Sequence, residues 1–262
     1  MKLSCSCAAA LLAAVAGAQA PGGGVRTVVA SAAGSGAQAP VAGVRTPVAV
    51  AAKATLPFGD ESLHYAINWP SGLGLGEAQM QSSHANARWS FALSLDASVP
   101  GFGATDSFQS LASDDFCSFE FTKMFTHGKR KANEKTTFDA AAGNATRQTL
   151  GGGGKSQMAI SGCVRDALTF LYYLRHELAN GRLPAPETVY FGGPYQVHLE
   201  FGGRQTVRVS EQPAQADRIT ASLKGPSSQS TIEMFFAPDA ARTPLMVKVP
   251  LAAGSFSMEL QR

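Results

Sequence analysis

Apolar and polar residues alternate along most of the chain after residue 55. The clearest example lies within residues 87–97, where every second residue from Trp89 to Leu95 is large and apolar. Successive side chains of a strand point to opposite faces, so this pattern predicts a strand with one buried face. Similar short segments, bounded by turns rich in Gly, Pro and Asn, recur to the C-terminus and predict an antiparallel sheet. The predicted strands cover residues 63–69, 74–82, 87–97, 116–125, 131–139, 146–150, 189–191, 195–201, 206–210, 218–223, 231–236, 245–249 and 256–260.

Turn residues predict how some of these strands connect. His127-Gly128 is expected to turn strand 116–125 back into strand 131–139, and Gly202-Gly203 is expected to be a two-residue hairpin turn. Glu120 and Thr122 are expected on the polar face of strand 116–125. The apolar face of that strand is expected to carry Cys117, Phe119, Phe121 and Phe125.

One segment has the period of a helix instead. Residues 164–180 place apolar side chains at every third or fourth position. Asn180-Gly181 is a suitable C-terminal cap, and Pro184 prevents the helix from resuming. The predicted fold class is therefore α+β and mostly β, an antiparallel meander sheet, half-barrel or open barrel with one main helix at about residues 164–180.

Composition narrows the class of partner. The chain has 262 residues, a formal net charge of +3 and a charged fraction of 16%. Nucleic-acid-binding domains concentrate far more Lys and Arg on one face, so no nucleic-acid partner is expected.

The N-terminus has the pattern of an export signal. Lys2 precedes an apolar stretch, and Ala18-Gln19-Ala20 is an A-x-A cleavage site. The apolar stretch is too short to span a bilayer, and no later segment is apolar enough to be a transmembrane helix. We therefore expect a signal peptide at residues 1–20, cleaved near Ala20, and a product in the periplasm or outside the cell.

The next segment has a different composition from the rest of the chain. Residues 21–55 consist mostly of Ala, Gly, Val and Pro, and Gly24-Val25-Arg26-Thr27 recurs as Gly43-Val44-Arg45-Thr46. Such a composition cannot bury enough apolar surface to fold, so a disordered tether is expected. Residues 56–262 are then expected to form a single β-rich domain.

Cysteine usage agrees with export. Cleavage removes Cys5 and Cys7 and leaves Cys117 and Cys163. A pair of cysteines in an oxidising compartment predicts a disulfide between them, the alternative being two separate buried thiols.

Several segments resemble one protein family. Residues 166–175, reading DALTFLYYLR, resemble the D-x-L-x-x-L-Y-Y-L-R helix of the DUF3108 family of bacterial exported proteins. Residues 64–69 with 76–78 resemble that family's first hairpin, and residues 119–139 its central hairpin. The resemblance covers about residues 56–262 and implies an envelope protein without a characterised activity. A looser likeness, in topology only, is to lipoprotein-carrier proteins, whose open β half-barrel holds acyl chains around a helix.

Motifs for catalysis and cofactor binding are incomplete. Residues 151–156 (GGGGKS) lack the first glycine of a phosphate-binding loop, because Thr149 stands at that position. The histidines form neither an HExxH motif nor a cluster with cysteines, and no G-x-S-x-G elbow is present. Asp114 and Asp115 are adjacent, so their side chains are expected to point apart. We therefore expect no catalytic residue, no metal and no cofactor, and enzymatic activity is not favoured.

Two sets of residues are candidates for binding. Lys129, Arg130 and Lys131 form a basic run at a predicted hairpin tip, either a solvated turn or a contact with anionic lipid headgroups or wall polymers. Aromatic residues either form the core or line a cavity for an apolar ligand. This aromatic set is Tyr65, Trp69, Trp89, Phe119, Phe121, Tyr172 and Tyr173.

Three functions follow from these expectations. The first is an exported envelope protein that binds an apolar or amphipathic, lipid-like ligand in a β-lined cavity. The second is a structural or interaction module that contacts an envelope protein or the membrane surface. The third is an enzyme acting on envelope glycans or lipids, which requires polar groups with perturbed pKa values to converge in one cleft.

Overall fold

The structure is a computed structural model that describes residues 58–99, 102–251 and 254–261. The expected signal peptide and tether lie outside the described residues. The described strands are β1 (Glu61–Asn68), β2 (Gly74–Ala85), β3 (Arg88–Val99), β4 (Phe102–Ser113), β5 (Ser118–His127), β6 (Arg130–Asp139), β7 (Asn144–Thr149), β8 (Lys155–Ala159), β9 (Arg165–Asp166), β10 (Glu187–Tyr190), β11 (Pro194–Val209), β12 (Gln212–Lys224), β13 (Gln229–Phe236), β14 (Pro244–Leu251) and β15 (Gly254–Leu260). The described helix is α1 (Ala167–Ala179).

All the described strands belong to one open sheet. Its order is β8-β7-β6-β5-β4-β3-β2-β1-β15-β14-β13-β12-β11-β10-β9. Neighbouring strands are antiparallel except β9 and β10, which are parallel. Most neighbours are also consecutive in sequence, whereas β1 pairs with β15, with Tyr65 opposite Leu260. The predicted mostly β meander with one helix is confirmed.

Several details differ from the prediction. β4 and β8 were not predicted, because both segments are rich in Ser, Gly, Ala and Gln, which give little strand signal. Gly202-Gly203 is not a hairpin turn: β11 continues past it, and the register against β12 shifts between Phe201 and Arg204. The two glycines form a bulge, which inserts extra residues into one strand without reversing it.

Phe119 also lies on a different face from the one predicted. Along β5, Leu111 lies opposite Glu120 and Ala112 lies opposite Ser118, so Phe119 has no residue opposite it. This irregularity leaves the Phe119 side chain 40% exposed, with the Arg88 guanidinium 5.4 Å from its ring centroid. Period-2 alternation fails at such a position because one extra residue reverses the faces.

The helix packs on the inner face of the sheet, which is the face that carries the hydrophobic core. The Tyr172 ring stacks on the Phe91 ring of β3 with 4.0 Å between centroids. Phe58, the first described residue, packs its ring edge against Tyr172 at 5.5 Å. The core contains buried residues of both the β1–β7 half and the β10–β15 half of the sheet.

A buried carboxylate positions the start of α1. Asp166 is the N-cap, and its side chain accepts hydrogen bonds from the backbone N–H groups of Leu168 and Thr169. The hydroxyls of Ser110 on β4 and Ser118 on β5 each donate to the same carboxylate at 2.6 Å. This cap satisfies free N–H groups of the first helical turn and ties the helix to two strands.

The predicted disulfide is present. Cys117 and Cys163 are bonded, with 5.0 Å between their Cα atoms and 46 residues of sequence separation. Beside this bond, the Ser118 backbone N–H donates to the Val164 carbonyl at 2.9 Å. The disulfide therefore links the start of β5 to the segment that leads into β9 and α1.

Candidate functional site

The predicted aromatic set does not form one site. Tyr65, Trp89, Phe121 and Tyr172 are buried core residues. Trp69 is half-buried and packs edge-on against Phe256, with 4.5 Å between centroids. Tyr173 is half-buried on α1 beneath the Arg165 guanidinium, 3.6 Å from its ring centroid, and Phe119 lies on the outer face.

Two open grooves are described on the surface. One, of about 480 Å³, is lined by residues 60–62, 81–83, 90 and 92. The other, of about 450 Å³, lies beside the disulfide and is lined by residues 159–161, 163, 164, 187, 188 and 190. Neither groove is lined by the predicted aromatic set.

The predicted basic run lies at the turn between β5 and β6. His127 pairs with Arg130 across this hairpin, so the turn consists of Gly128 and Lys129. The side chains of Lys129, Arg130 and Lys131 are exposed.

A cluster of ionisable side chains lies on the inner face of four successive strands. Lys123 stands between Phe121 and Phe125 on the inward side of β5, opposite Glu134 of β6. The inner-face cluster consists of Asp106 on β4, Lys123 and His127 on β5, Glu134 on β6 and Arg147 on β7.

One half of the inner-face cluster is a histidine–aspartate pair. His127 Nε2 lies 2.6 Å from Asp106 Oδ1, and both side chains are about nine-tenths buried or more. Burial raises the pKa of the Asp106 carboxyl, while His127 and then Lys123 oppose the shift. Removal from water disfavours the ionised carboxylate, and a neighbouring positive charge restores it.

The other half joins three strands to the β10–β11 turn. Lys123 Nζ lies 3.2 Å from Glu134 Oε2, and Arg147 Nη2 donates to Glu134 Oε1 at 2.7 Å. Arg147 Nη1 also donates to the carbonyl of Gly192 at 2.8 Å. Burial lowers the pKa of Lys123, whereas Glu134 raises it. A Cβ atom at Gly192 would lie 3.0 Å from Lys123 Nζ, a tight contact that the end of the lysine side chain would have to relieve by shifting a few tenths of an ångström.

Aromatic rings surround the charged groups of the inner-face cluster. Lys123 Nζ lies 4.9 Å from the ring centroid of Phe191 and 5.7 Å from that of Phe125. The Phe191 ring in turn contacts Phe108 at 5.5 Å between centroids, and Phe125 stacks on His127 at 4.6 Å. A cation above an aromatic face is stabilised by the ring quadrupole, more so where water is excluded.

No sequence pattern identifies the inner-face cluster. Its members lie on four strands, and only the strand register brings them together. One signal was nevertheless present: Lys123 occupies an apolar-face position of β5, and a charged residue there is unusual in a half-buried strand.

Within residues 58–99, 102–251 and 254–261, no group of three or more His, Cys, Asp or Glu side chains is arranged to hold a metal ion. The helix that the structure describes is not long and apolar enough to cross a membrane.

Known proteins give the following similarities. The family model described as a protein of unknown function, DUF3108, matches residues 62–261. No curated protein sequence matches the chain. A crystal structure of a β-barrel-like protein of the domain of unknown function DUF1849, from Brucella abortus, is similar in fold with a TM-score of 0.56 at 8% identity. The similarity covers 79% of this chain and 98% of that one.

Proposed function

Because the chain belongs to the DUF3108 family of proteins of unknown function, we propose a function from its own geometry: it is an exported envelope protein that binds an amphipathic ligand. The ligand's polar group lies at the inner-face cluster, and its apolar part lies along the neighbouring aromatic rings. The ligand class is the one expected from the sequence. The residues proposed to hold its polar group are those of the inner-face cluster, and not the predicted aromatic set.

The observation that carries the proposal is the position of Lys123 among Phe121, Phe125 and Phe191. A buried ion pair gains little stability over apolar residues of similar volume, because desolvation offsets the attraction between the charges. Five ionisable side chains gathered on the face that carries the hydrophobic core are therefore explained better by recognition than by stability. Perturbed pKa values, such as those of Asp106 and Lys123, are concentrated at functional sites.

The surroundings of the inner-face cluster fit an amphipathic molecule. Ligand sites combine mostly apolar walls with a few convergent polar groups that set orientation. Leu95 lies opposite Asp106 in the β3–β4 register, and Phe125 is half-buried beside His127. Together with Phe191 they supply an apolar wall next to the charges.

Export is part of the same proposal. The leader at residues 1–20 is removed, and residues 21–55 act as a tether for the domain. The Cys117–Cys163 bond supports this, because stable disulfides form mainly in oxidising compartments such as the periplasm.

The test compares two lysines of the same hairpin. Lys123 faces inward, whereas Lys135 faces outward and pairs with Glu120 at 2.7 Å. Protein isolated from an envelope extract is examined by native mass spectrometry, and we expect a bound amphipathic ligand in the wild type and in Lys135→Met. Lys123→Met should lose at least nine-tenths of the bound fraction while keeping its near-UV circular dichroism. Absence of ligand from the wild type, or equal loss in both variants, contradicts the proposal.

A second candidate function is favoured by one observation, the Asp106–His127 pair. A carboxylate hydrogen-bonded to an imidazole is the arrangement that orients a general base, and the Asp106 pKa is perturbed by burial. This function predicts hydrolysis of envelope lipids or glycans that is abolished in His127→Gln and retained in His176→Gln. If the wild-type protein binds its ligand in a one-to-one ratio and does not hydrolyse it, this second function is excluded.

A further inference from the structure

The meander topology places alternate turns at opposite ends of the sheet. At one end lie the turns at residues 69–73, 128–129, 150–154, 191–193 and 225–228. At the other end lie the turns at residues 86–87, 114–117, 140–143, 210–211 and 237–243. We call these the basic end and the acidic end, because their charges differ.

The basic end carries exposed cations without acidic neighbours. Its exposed cations are Lys129, Arg130, Lys131, Lys155 and Lys224. None of them forms an ion pair within the part of the chain that the structure describes. No aspartate or glutamate occurs in the described residues of these turns or in the two strand residues on either side of each.

The acidic end has the opposite composition. We count here the turns, the two strand residues on either side of each turn, the start of β1 and the end of β15. The carboxylates of these residues are Asp60, Glu61, Asp114, Asp115, Asp139, Glu211, Asp239 and Glu259. The arginines over the same residues are Arg88, Arg208 and Arg242. The small net charge of the chain therefore conceals a strong separation of charge along the strands.

Apolar side chains also protrude at the basic end. Leu73 in the β1–β2 turn is 63% exposed, and Leu150 in the β7–β8 turn is 37% exposed. Proteins that bind a bilayer surface combine cations, which are attracted to anionic headgroups, with apolar side chains that insert at the interface.

We propose that the basic end is a docking surface for an anionic lipid bilayer. The charge complementarity is specific to this end, since the acidic end would be repelled by the same surface. Each Lys or Arg near an anionic bilayer adds to the attraction, and the attraction decays within a Debye length, so binding is sensitive to salt. This proposal does not depend on a ligand at the inner-face cluster.

The test measures how the exported protein, from which the leader at residues 1–20 has been removed, partitions onto vesicles in a flotation assay. Vesicles of phosphatidylcholine with 40% phosphatidylglycerol are compared with vesicles of phosphatidylcholine alone, in low salt. The test variant is Lys129→Gln, Arg130→Gln, Lys131→Gln. The matched control, Lys135→Gln, Arg182→Gln, Arg208→Gln, removes the same charge from cations that pair with Glu120, Glu177 and Glu211. A third variant, Leu73→Ser, tests the apolar contribution.

We expect the wild type and the control to bind the anionic vesicles, with at least a tenfold loss of partitioning in the test variant. Leu73→Ser should weaken binding several-fold, and about 0.5 M salt should release the wild type, because the Debye length then falls below about 5 Å. Three results would overturn the proposal. They are equal binding to vesicles with and without phosphatidylglycerol, no binding to either kind of vesicle, and equal losses of binding in the test and control variants. Retention on a soluble anionic polymer without binding to anionic vesicles would overturn it too.

Discussion

Arg175 is fully buried and donates hydrogen bonds to both carboxylate oxygens of Glu61, with 3.0 Å between Nη2 and Oε2. Its Nε also donates to the carbonyl of Ala241 at 3.2 Å, and its guanidinium lies 4.6 Å from the ring centroid of Phe58. One side chain thus ties α1 to β1, to the β13–β14 loop and to the start of the described chain. Asp166 anchors the start of the same helix, so both charged residues of segment 166–175 are explained by packing.

Removing Arg175 should be strongly destabilising. Arg175→Met leaves the Glu61 carboxylate without its partner, and breaking a buried pair in this way costs about 3–5 kcal/mol. Urea unfolding followed by tryptophan fluorescence measures the loss. Arg182→Met, which removes a 62% exposed guanidinium near the end of the same helix, should change stability little. Adding Glu61→Gln to Arg175→Met should recover part of the loss, and a fully additive double variant would argue against the pairing.

The disulfide should stabilise the domain substantially. It closes a loop with a sequence separation of 46 residues, for which the chain-entropy model gives up to about 4 kcal/mol. The variant with Cys117→Ser and Cys163→Ser should unfold at lower urea concentration by about 2–4 kcal/mol, yet keep the Asp166 cap and its fold. Non-reducing mass spectrometry of the wild type should yield one peptide that contains both cysteines, whereas two alkylatable thiols would show that the bond does not form.

Two glycines of β2 should differ in how well they tolerate substitution by alanine. A Cβ atom at Gly76 would collide with the carbonyl oxygen of Asp96 and the Cα of Ala97, whereas one at Gly74 would meet no atom within 4 Å. Because the obstacle is backbone of β3, Gly76→Ala should cost about 3 kcal/mol or more, at the upper end of overpacking effects. Gly74→Ala should be nearly neutral. Thermal unfolding of the two variants compares them directly, and similar melting temperatures would mean that β2 and β3 are not this close.

Asp217 should give the domain an acid-sensitive stability. Hydrogen bonds from Arg204, assisted by Arg242, hold the pKa of Asp217 below its usual value. A folded-state pKa below the unfolded one means that the stabilisation is present at neutral pH and is lost as pH falls, here below about pH 4. Asp217→Asn should therefore be less stable than the wild type at pH 7, and the difference should shrink at pH 2–3.

Urea unfolding at several pH values measures this difference. The exposed Asp115 in the β4–β5 turn provides a control, because these arginines form their ion pairs with Asp217 and not with Asp115. Asp115→Asn should be as stable as the wild type at pH 7, which shows that an Asp-to-Asn change is not destabilising in itself. A difference between Asp217→Asn and the wild type that stays constant from pH 7 to pH 2 would contradict the assigned pKa direction.

Local patterns predicted most elements of the fold. The alternation around Trp89 and Leu93 predicted β3, and the period of residues 164–180 predicted α1, because both segments bury one face against the same core. The helix begins later than predicted, at Ala167, because the Asp166 side chain caps it. Gly202-Gly203 was misassigned since a bulge and a two-residue hairpin turn both use glycine, and only the partner strand distinguishes them.

The inner-face cluster could not be assembled from the sequence. Asp106 lies on β4, which lacked a strand signal, and Arg147 lies on a strand of six residues. Their convergence depends on strand register and on the approach of Gly192 from the other half of the sheet. Such long-range relationships leave no periodic trace in the chain.

Because β1 pairs with β15, the sheet can be completed only after β15 has been synthesised. Every other antiparallel pair among the described strands joins neighbours in sequence, whereas Tyr65, which pairs with Ala78 of β2 on one side, must wait for Leu260 on the other. Until β15 emerges from the ribosome, β1 and β14 each present an unsatisfied edge that invites pairing with another chain. A chain truncated within β15 would therefore leave both edges open and aggregate, although nearly all of the core residues would be present.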